Sequence, residues 1–359
     1  MTRTAPRHAP DVGTDVVDVA ALGESMVTFL PTRHGRLADV PSFDRAIGGA
    51  ESNVACMLAA AGHSTRWISR VGADGFGDHL VEAVGSYGVD IASVQRDPDR
   101  PTGVYFRTAG ERGTDAHEVA YYRAGSAASA MSVSTVDPAA VRSCRVLHLS
   151  GITAALSDGC RELLRELTAP AAGRPLVSFD VNHRPGLCRT PEDARVLLEL
   201  ARRADVVFVG ADEARDAWGL RSTGAIVDAL PEPALVIVKL GKGGAIAFDK
   251  NTDGMEDADG TATLVRPPQV DVVATTGAGD AFAAGFLHAT LRGLPLRTRL
   301  RHAHLWAAAA LTTPGDLGTP PARAHADRLA AVDDGTWGTL RLGPGWTQAE
   351  QAEEEVPAP

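Results

Sequence analysis

Short β-type apolar runs alternate with helical patterns along most of the chain. The runs at 16–22, 66–71, 146–150, 176–180, 206–209, 235–240 and 245–249 predict strands. Apolar residues returning every three or four positions predict helices over 51–61, 77–87, 159–168, 191–201, 278–291 and 300–311. Strands separated by helices need crossover connections, so the expected fold is a three-layer α/β domain with a central, mainly parallel sheet. Two stretches break this rhythm, 26–47 and 94–123, where apolar and polar residues alternate between turns. They read either as a small antiparallel β-lid or as edge strands of the main sheet. The globular domain is expected over 16–335. The segments 1–15 and 336–359, the latter ending in an acidic stretch, have little to bury and are expected to be disordered.

Composition narrows the classes. The chain has 359 residues, 44% of them hydrophobic, which suffices for one large single-core domain or two smaller ones. Its formal net charge of -10 argues against nucleic acid or an anionic membrane as a standing partner. An anionic small substrate is compatible with it, because a local arginine pair overrules the global sign. With no apolar leader and no membrane-length apolar run, the chain reads as cytoplasmic. Cys56, Cys144, Cys160 and Cys188 form no CxxC pair and read as reduced core thiols. The acidic stretch 253–260 reads as the solvated tip of a hairpin, and His302 and His304 as surface residues.

The sharpest chemical signal is Thr275-Thr276-Gly277-Ala278-Gly279-Asp280, which opens the predicted helix 278–291. Glycines there allow close approach of a ligand to first-turn N–H groups, which lack intrahelical partners and favour an anion. Asp280 beside such a hole suits a base that takes a proton from an attacking hydroxyl. It suits equally an N-capping Asp after a glycine turn, and the motif alone leaves both open. Other phosphate-binding motifs are missing: no GxxxxGK[ST] occurs, and neither Gly277 nor Gly75 completes GxGxxG. A second signal is Gly48-Gly49-Ala50-Glu51-Ser52-Asn53, which leads into the helix predicted at 51–61. A glycine pair gives a hydroxyl access to the backbone, and Asn53 both donates and accepts, as a polyol requires. A plain turn with a helix cap is the alternative.

Together and in this order, the two signals resemble the signatures of the ribokinase (PfkB) family of carbohydrate kinases, over about residues 16 to 330. The resemblance implies ATP-dependent phosphorylation of a sugar hydroxyl, with sugar contacts from Gly48, Gly49 and Asn53. It implies an anion hole at Gly277, Ala278 and Gly279, and a catalytic base at Asp280. Val238-Lys239-Leu240-Gly241-Lys242-Gly243-Gly244 resembles the family's nucleotide-cradling turn, placing Lys239, Gly241, Gly243 and Gly244 at ATP. Gly210-Ala211-Asp212-Glu213 stands where the family has Asn-x-x-Glu, so Glu213 is implied as an indirect magnesium partner. Ala274 replaces the Asp of the family's monovalent-cation site, which predicts little response to potassium.

Further stretches resemble the family's 2-keto-3-deoxygluconate kinase branch. Phe179-Asp180-Val181-Asn182-His183-Arg184-Pro185 is one, implying Asn182 at ATP. Tyr121-Tyr122-Arg123 and Gly315-Asp316 are others. A substrate carboxylate would take Arg123 and Arg184, with Tyr105, Tyr121 and Asp316 around the carbon skeleton. Arg184 has a second role open to it, facing the ATP phosphates. The resemblance also suits a homo-oligomer formed through the lid. Rival readings are a kinase for a neutral sugar or a nucleoside, and a catalytically silent sugar-binding regulator.

Overall fold

The computed structural model describes residues 16–33, 35–108, 118–250 and 262–348. Thirteen strands build its two main sheets: β1 (Val17–Leu22), β2 (Met26–Pro31), β3 (Phe43–Gly48), β4 (Thr65–Gly72), β5 (Val94–Asp97), β6 (Val104–Arg107) and β7 (Val119–Tyr122), then β8 (Cys144–Ser150), β9 (Leu176–Asp180), β10 (Val206–Gly210), β11 (Leu235–Lys239), β12 (Ala245–Asp249) and β13 (Ala262–Val265). The central sheet runs β13-β12-β11-β10-β9-β8-β1-β4-β5. Strands β5 to β11 in that order pair parallel, and β12 and β13 add an antiparallel hairpin at one edge. The three-layer α/β expectation holds: helices cover both faces, and Phe179, Phe208 and Trp67 are fully buried between layers.

The connection after β1 runs to β4 on one side and the connection after β8 runs to β9 on the other, so the chain leaves the carboxyl ends of these two neighbouring strands in opposite directions. A crevice at such a switch point is where open α/β sheets bind ligands. Gly23 to Ser25 follow β1 there, and Asp180, Gly210 and Lys239 end β9, β10 and β11 at the same edge.

A separate four-stranded sheet, ordered β3-β2-β6-β7, forms the lid. Its inner pair β2–β6 is parallel, a departure from the expected antiparallel flap; the outer pairs are antiparallel. Alternation along β6 sends Tyr105 and Arg107 inward, while Phe106 stacks on Phe29 at 4.7 Å on the other face. β5, expected within the lid stretch 94–123, is instead the edge strand of the central sheet. Its pattern of Val94, then polar Gln95 and Arg96, suits an edge as well as a flap.

Three further expectations are corrected. The helix Ala278–Leu291 is not amphipathic: Ala281 through Ala289 are all buried, because the helices Ala50–Ala60 and Leu296–Leu311 pack against it. His302 and His304 lie on that last helix but inside the protein, at 0% and 6% exposure, with His304 Nε2 bonded to the Val265 carbonyl at 3.0 Å. Residues 336–348 are ordered. Arg341–Leu342 pairs with Gln269–Val270, and Trp337 and Trp346 are buried in the core beside that helix. Trp337 donates to the Arg266 carbonyl at 2.8 Å and lies under the Arg301 guanidinium. The acidic stretch 253–260, the segment 1–15 and the acidic end lie outside the described residues. All four cysteines are free, three of them buried and Cys188 half-buried.

Candidate active site

The turn before the helix Ala278–Leu291 is built around Gly277, the N-cap, at φ 76°. A Cβ there would stand 2.0 Å from the Asp316 carbonyl oxygen, so conformation and space both demand glycine. Ala278, Gly279 and Asp280 fill the first turn, and Ala281 is the first N–H to bond back, to the Gly277 carbonyl at 2.9 Å. Asp280 therefore sits inside the helix at N3, and its side chain caps no N–H of its own helix.

The Asp280 side chain is held instead by another element. Asn53 Nδ2, on the helix Ala50–Ala60, donates to Asp280 Oδ2 at 2.8 Å. Burial raises the Asp280 pKa to about 7; the Asn53 bond and the Arg184 charge oppose that rise, while the Asp180 and Asp316 carboxylates add to it. A carboxyl titrating near neutrality in a cleft is poised to exchange a proton with a hydroxyl. Asn53 keeps Oδ1 buried without a protein partner, an acceptor free for a polyol.

Gly48, Tyr105 and Asp316 meet beside this pair. A Cβ on Gly48 would come within 2.3 Å of the Tyr105 hydroxyl and 2.5 Å of Asp316 Oδ2. Gly49, in ordinary extended backbone, is pressed against the Glu24 carbonyl and Ser25. Tyr105 donates to Asp316 Oδ2 at 2.6 Å, and Arg107 Nη2 to Asp316 Oδ1 at 2.9 Å. Burial and the Asp316 charge push the Tyr105 phenol well above its ordinary value. Tyr121 is 54% exposed, its ring 5.5 Å from that of Tyr105.

The predicted arginines are placed unequally. Arg123 is half-buried and ion-paired with Glu24, a carboxylate at 2% exposure that also accepts from Ser126. Its Nε keeps no partner. Arg184 is exposed, near enough to Asp280 and Glu213 to favour their charged forms.

At the carboxyl end of the central sheet, Lys239 ends β11 and pairs with both oxygens of Asp180, at 2.9 and 3.0 Å. Burial opposes its charge, but Asp180 and Glu213 outweigh burial and hold it protonated. Its Nζ lies 3.8 Å from where a Gly279 Cβ would be, beside the first turn of the helix Ala278–Leu291. Glu213 accepts from the Gly210 N–H at 3.0 Å, and burial raises its pKa against the pull of Lys239. The turn after β11 needs Gly241 at φ 56° and Gly244 at φ 104°, the latter packed on the Val265 carbonyl; Gly243 lies exposed between them. Asn182 is the one non-glycine residue with positive φ among the described residues, at 42°, buried just past β9. Asn tolerates that conformation better than most residues. Among the described residues no cluster of three His, Cys, Asp or Glu side chains could hold a metal.

Sequence reasoning passed over Glu24, Arg107 and Asp180. Each had a signal: Glu24 interrupts two apolar runs, Arg107 shares a face with Tyr105, and Asp180 closes an apolar strand.

Residues 17–323 match the pfkB family carbohydrate kinase family. The chain is 32% identical over 316 residues to the 2-dehydro-3-deoxygluconokinase of Bacillus subtilis, covering 86% of this chain and 93% of that one. It is 31% identical over 318 residues to the enzyme of that name from Thermoproteus tenax, covering 88% and 94%. An uncharacterised sugar kinase of Pyrococcus horikoshii, solved in complex with ATP, superposes with a TM-score of 0.72 at 27% identity, covering 84% of this chain and 95% of that chain. Fold and site define a phosphotransferase that acts on a sugar. The chain belongs to the pfkB family of carbohydrate kinases.

Proposed function

We propose that the protein transfers the γ-phosphoryl group of ATP to the 6-hydroxyl of 2-keto-3-deoxygluconate, with Asp280 as base. The observation that carries this reading is Asp280 itself, pushed up to about 7 by burial, hydrogen-bonded by Asn53 and set in the same first helical turn as the Gly277–Gly279 anion hole. The sugar would lie between Gly48, Gly49, Asn53 and the lid residues Tyr105, Tyr121 and Asp316. The hydroxyl oxygen bonds to the γ-phosphorus as the bond to the β–γ bridging oxygen breaks. Its proton passes to Asp280, and ADP leaves with the electron pair. The N–H groups of the first helical turn and Lys239 face the charge on the moving group. ATP would lie across Asn182, Lys239, Gly241, Gly243 and Gly244. Magnesium, which usually keeps several waters and binds through one or two carboxylates plus phosphates, fits Glu213 and Asp180 as outer partners and would neutralise phosphate charge.

The 2-keto-3-deoxygluconate assignment is supported by the two relatives named for it and by Arg123 and Arg184. A second reading, a neutral sugar, draws on the pairing of the lid arginines. Arg123 already answers Glu24 and Arg107 already answers Asp316, which leaves Arg184 as the site's exposed cation. An ADP-release assay with a panel of sugars and sugar acids separates them. We expect kcat/KM for 2-keto-3-deoxygluconate at least about tenfold above that for fructose, the worth of one charge-assisted hydrogen bond. Equal values would remove the sugar-acid assignment, and no turnover with any sugar would remove catalysis.

A further inference from the structure

Alternation along β6 places Arg107 on the face of Tyr105, two residues on, so both reach the same carboxylate. Asp316 belongs to the body of the molecule, in the loop after the helix Leu296–Leu311; Tyr105 and Arg107 belong to the lid. One oxygen of Asp316 takes the Tyr105 hydroxyl and the other takes Arg107 Nη2. Held at both oxygens, the carboxylate cannot rotate. The tyrosine alone would fix one oxygen and supply no charge. Arg107 and Asp316 are both buried, and removing one partner of a buried ion pair leaves the other charge uncompensated. The Asp316 main chain is also the surface against which Gly277 packs, so its orientation bears on the anion-hole turn.

We propose that Arg107 is a positioning residue of the sugar site, acting through Asp316 by fixing its carboxylate and tying the loop that bears it to the lid. The inference rests on the assignment of Asp316 to the sugar, and its test separates the two. Steady-state kinetics would be measured with the best sugar of the panel for wild type, Asp316→Asn, Arg107→Met, the double variant and Arg107→Lys. Arg107→Met is expected to raise KM for the sugar roughly tenfold to a hundredfold, the loss of a charge-assisted bond, with KM for ATP unmoved. Because Arg107 acts through Asp316, the double variant should match Asp316→Asn to within about twofold. Arg107→Lys, which keeps the charge and one donor, should recover most of the loss. Multiplicative losses in the double variant would overturn the proposal, because Arg107 would then touch the sugar itself through its unpartnered Nε or act independently. A parallel rise in both KM values with a fall in melting temperature would also overturn it. If Asp316→Asn raises KM for the sugar and Arg107→Met does not, this inference falls alone; if Asp316→Asn is silent, the sugar-site assignment falls and takes this inference with it. Should Arg107→Met fail to fold, Arg107→Gln, neutral with one donor, enters the same cycle.

Discussion

In the proposed mechanism Asp280 carries the chemistry because of what surrounds it. An exposed aspartate titrates near 4 and is a poor base at neutral pH. Here burial, with Asp180 and Asp316 nearby, lifts the carboxyl to about 7 even though Asn53 donates to it. The carboxyl must be ionised to accept a proton, so kcat/KM should fall about tenfold per pH unit below that value. The flat region should lie above it. A rate profile level down to pH 5 would mean that Asp280 is ionised there and that burial does not govern it. Asn53 contributes in two ways on this account, as a donor that tempers the rise and as a free acceptor for the substrate.

At the scale of elements, the site depends on how closely three helices pack. Gly285 lies where the helices Ala278–Leu291 and Leu296–Leu311 cross: a Cβ there would come within 2.7 Å of both the His302 carbonyl and the Trp306 ring. Gly285→Ala should therefore destabilise the protein by roughly 1–3 kcal/mol, the usual cost of overpacking. Urea unfolding would measure it, and an unchanged midpoint would show that the helices shift apart freely. The same packing explains what could be read in advance. Six of the seven parallel strands were legible because apolar residues dominate them, most fully in β10 and β11, whereas the largely polar β5 was not; the turn at Gly277 was legible from its glycines. The helix 278–291 was misjudged because apolar residues surround it, and a three-to-four-residue period cannot distinguish one buried face from all of them. His302 and His304 misled for a related reason, since polarity alone does not show that Asp327 and the Val265 carbonyl receive them. Arg123 was legible as a lid cation, but its pairing with Glu24 depends on residues about a hundred positions apart and left no local trace.

For the whole molecule, two sheets share the labour. The central sheet brings Asp180, Gly210 and Lys239 to one edge, and the lid brings Tyr105, Arg107 and Tyr121 over it. Two ion pairs join lid to body, the buried Arg107 with Asp316 and the half-buried Arg123 with Glu24. Residues 336–348 belong to this body, because Trp337, Leu342 and Trp346 fill the core beside the helix Leu296–Leu311. A chain ending at residue 335 loses those side chains, each worth roughly 1.5–3 kcal/mol when fully buried. Its melting temperature should drop by several degrees. Equal melting of the short and full chains would contradict the packing seen here.

The central claim is that Asp280 takes the proton from the sugar, and Asp280→Asn tests it most directly. The amide keeps the size of the carboxyl and removes its basicity. The measurement is kcat for ADP release at saturating ATP and sugar, with sugar binding followed by calorimetry on the same preparation. The account predicts a fall in kcat of roughly 10²- to 10⁴-fold with binding retained. A variant that binds the sugar and turns over within about tenfold of wild type, outside the range a general base supplies, would contradict it.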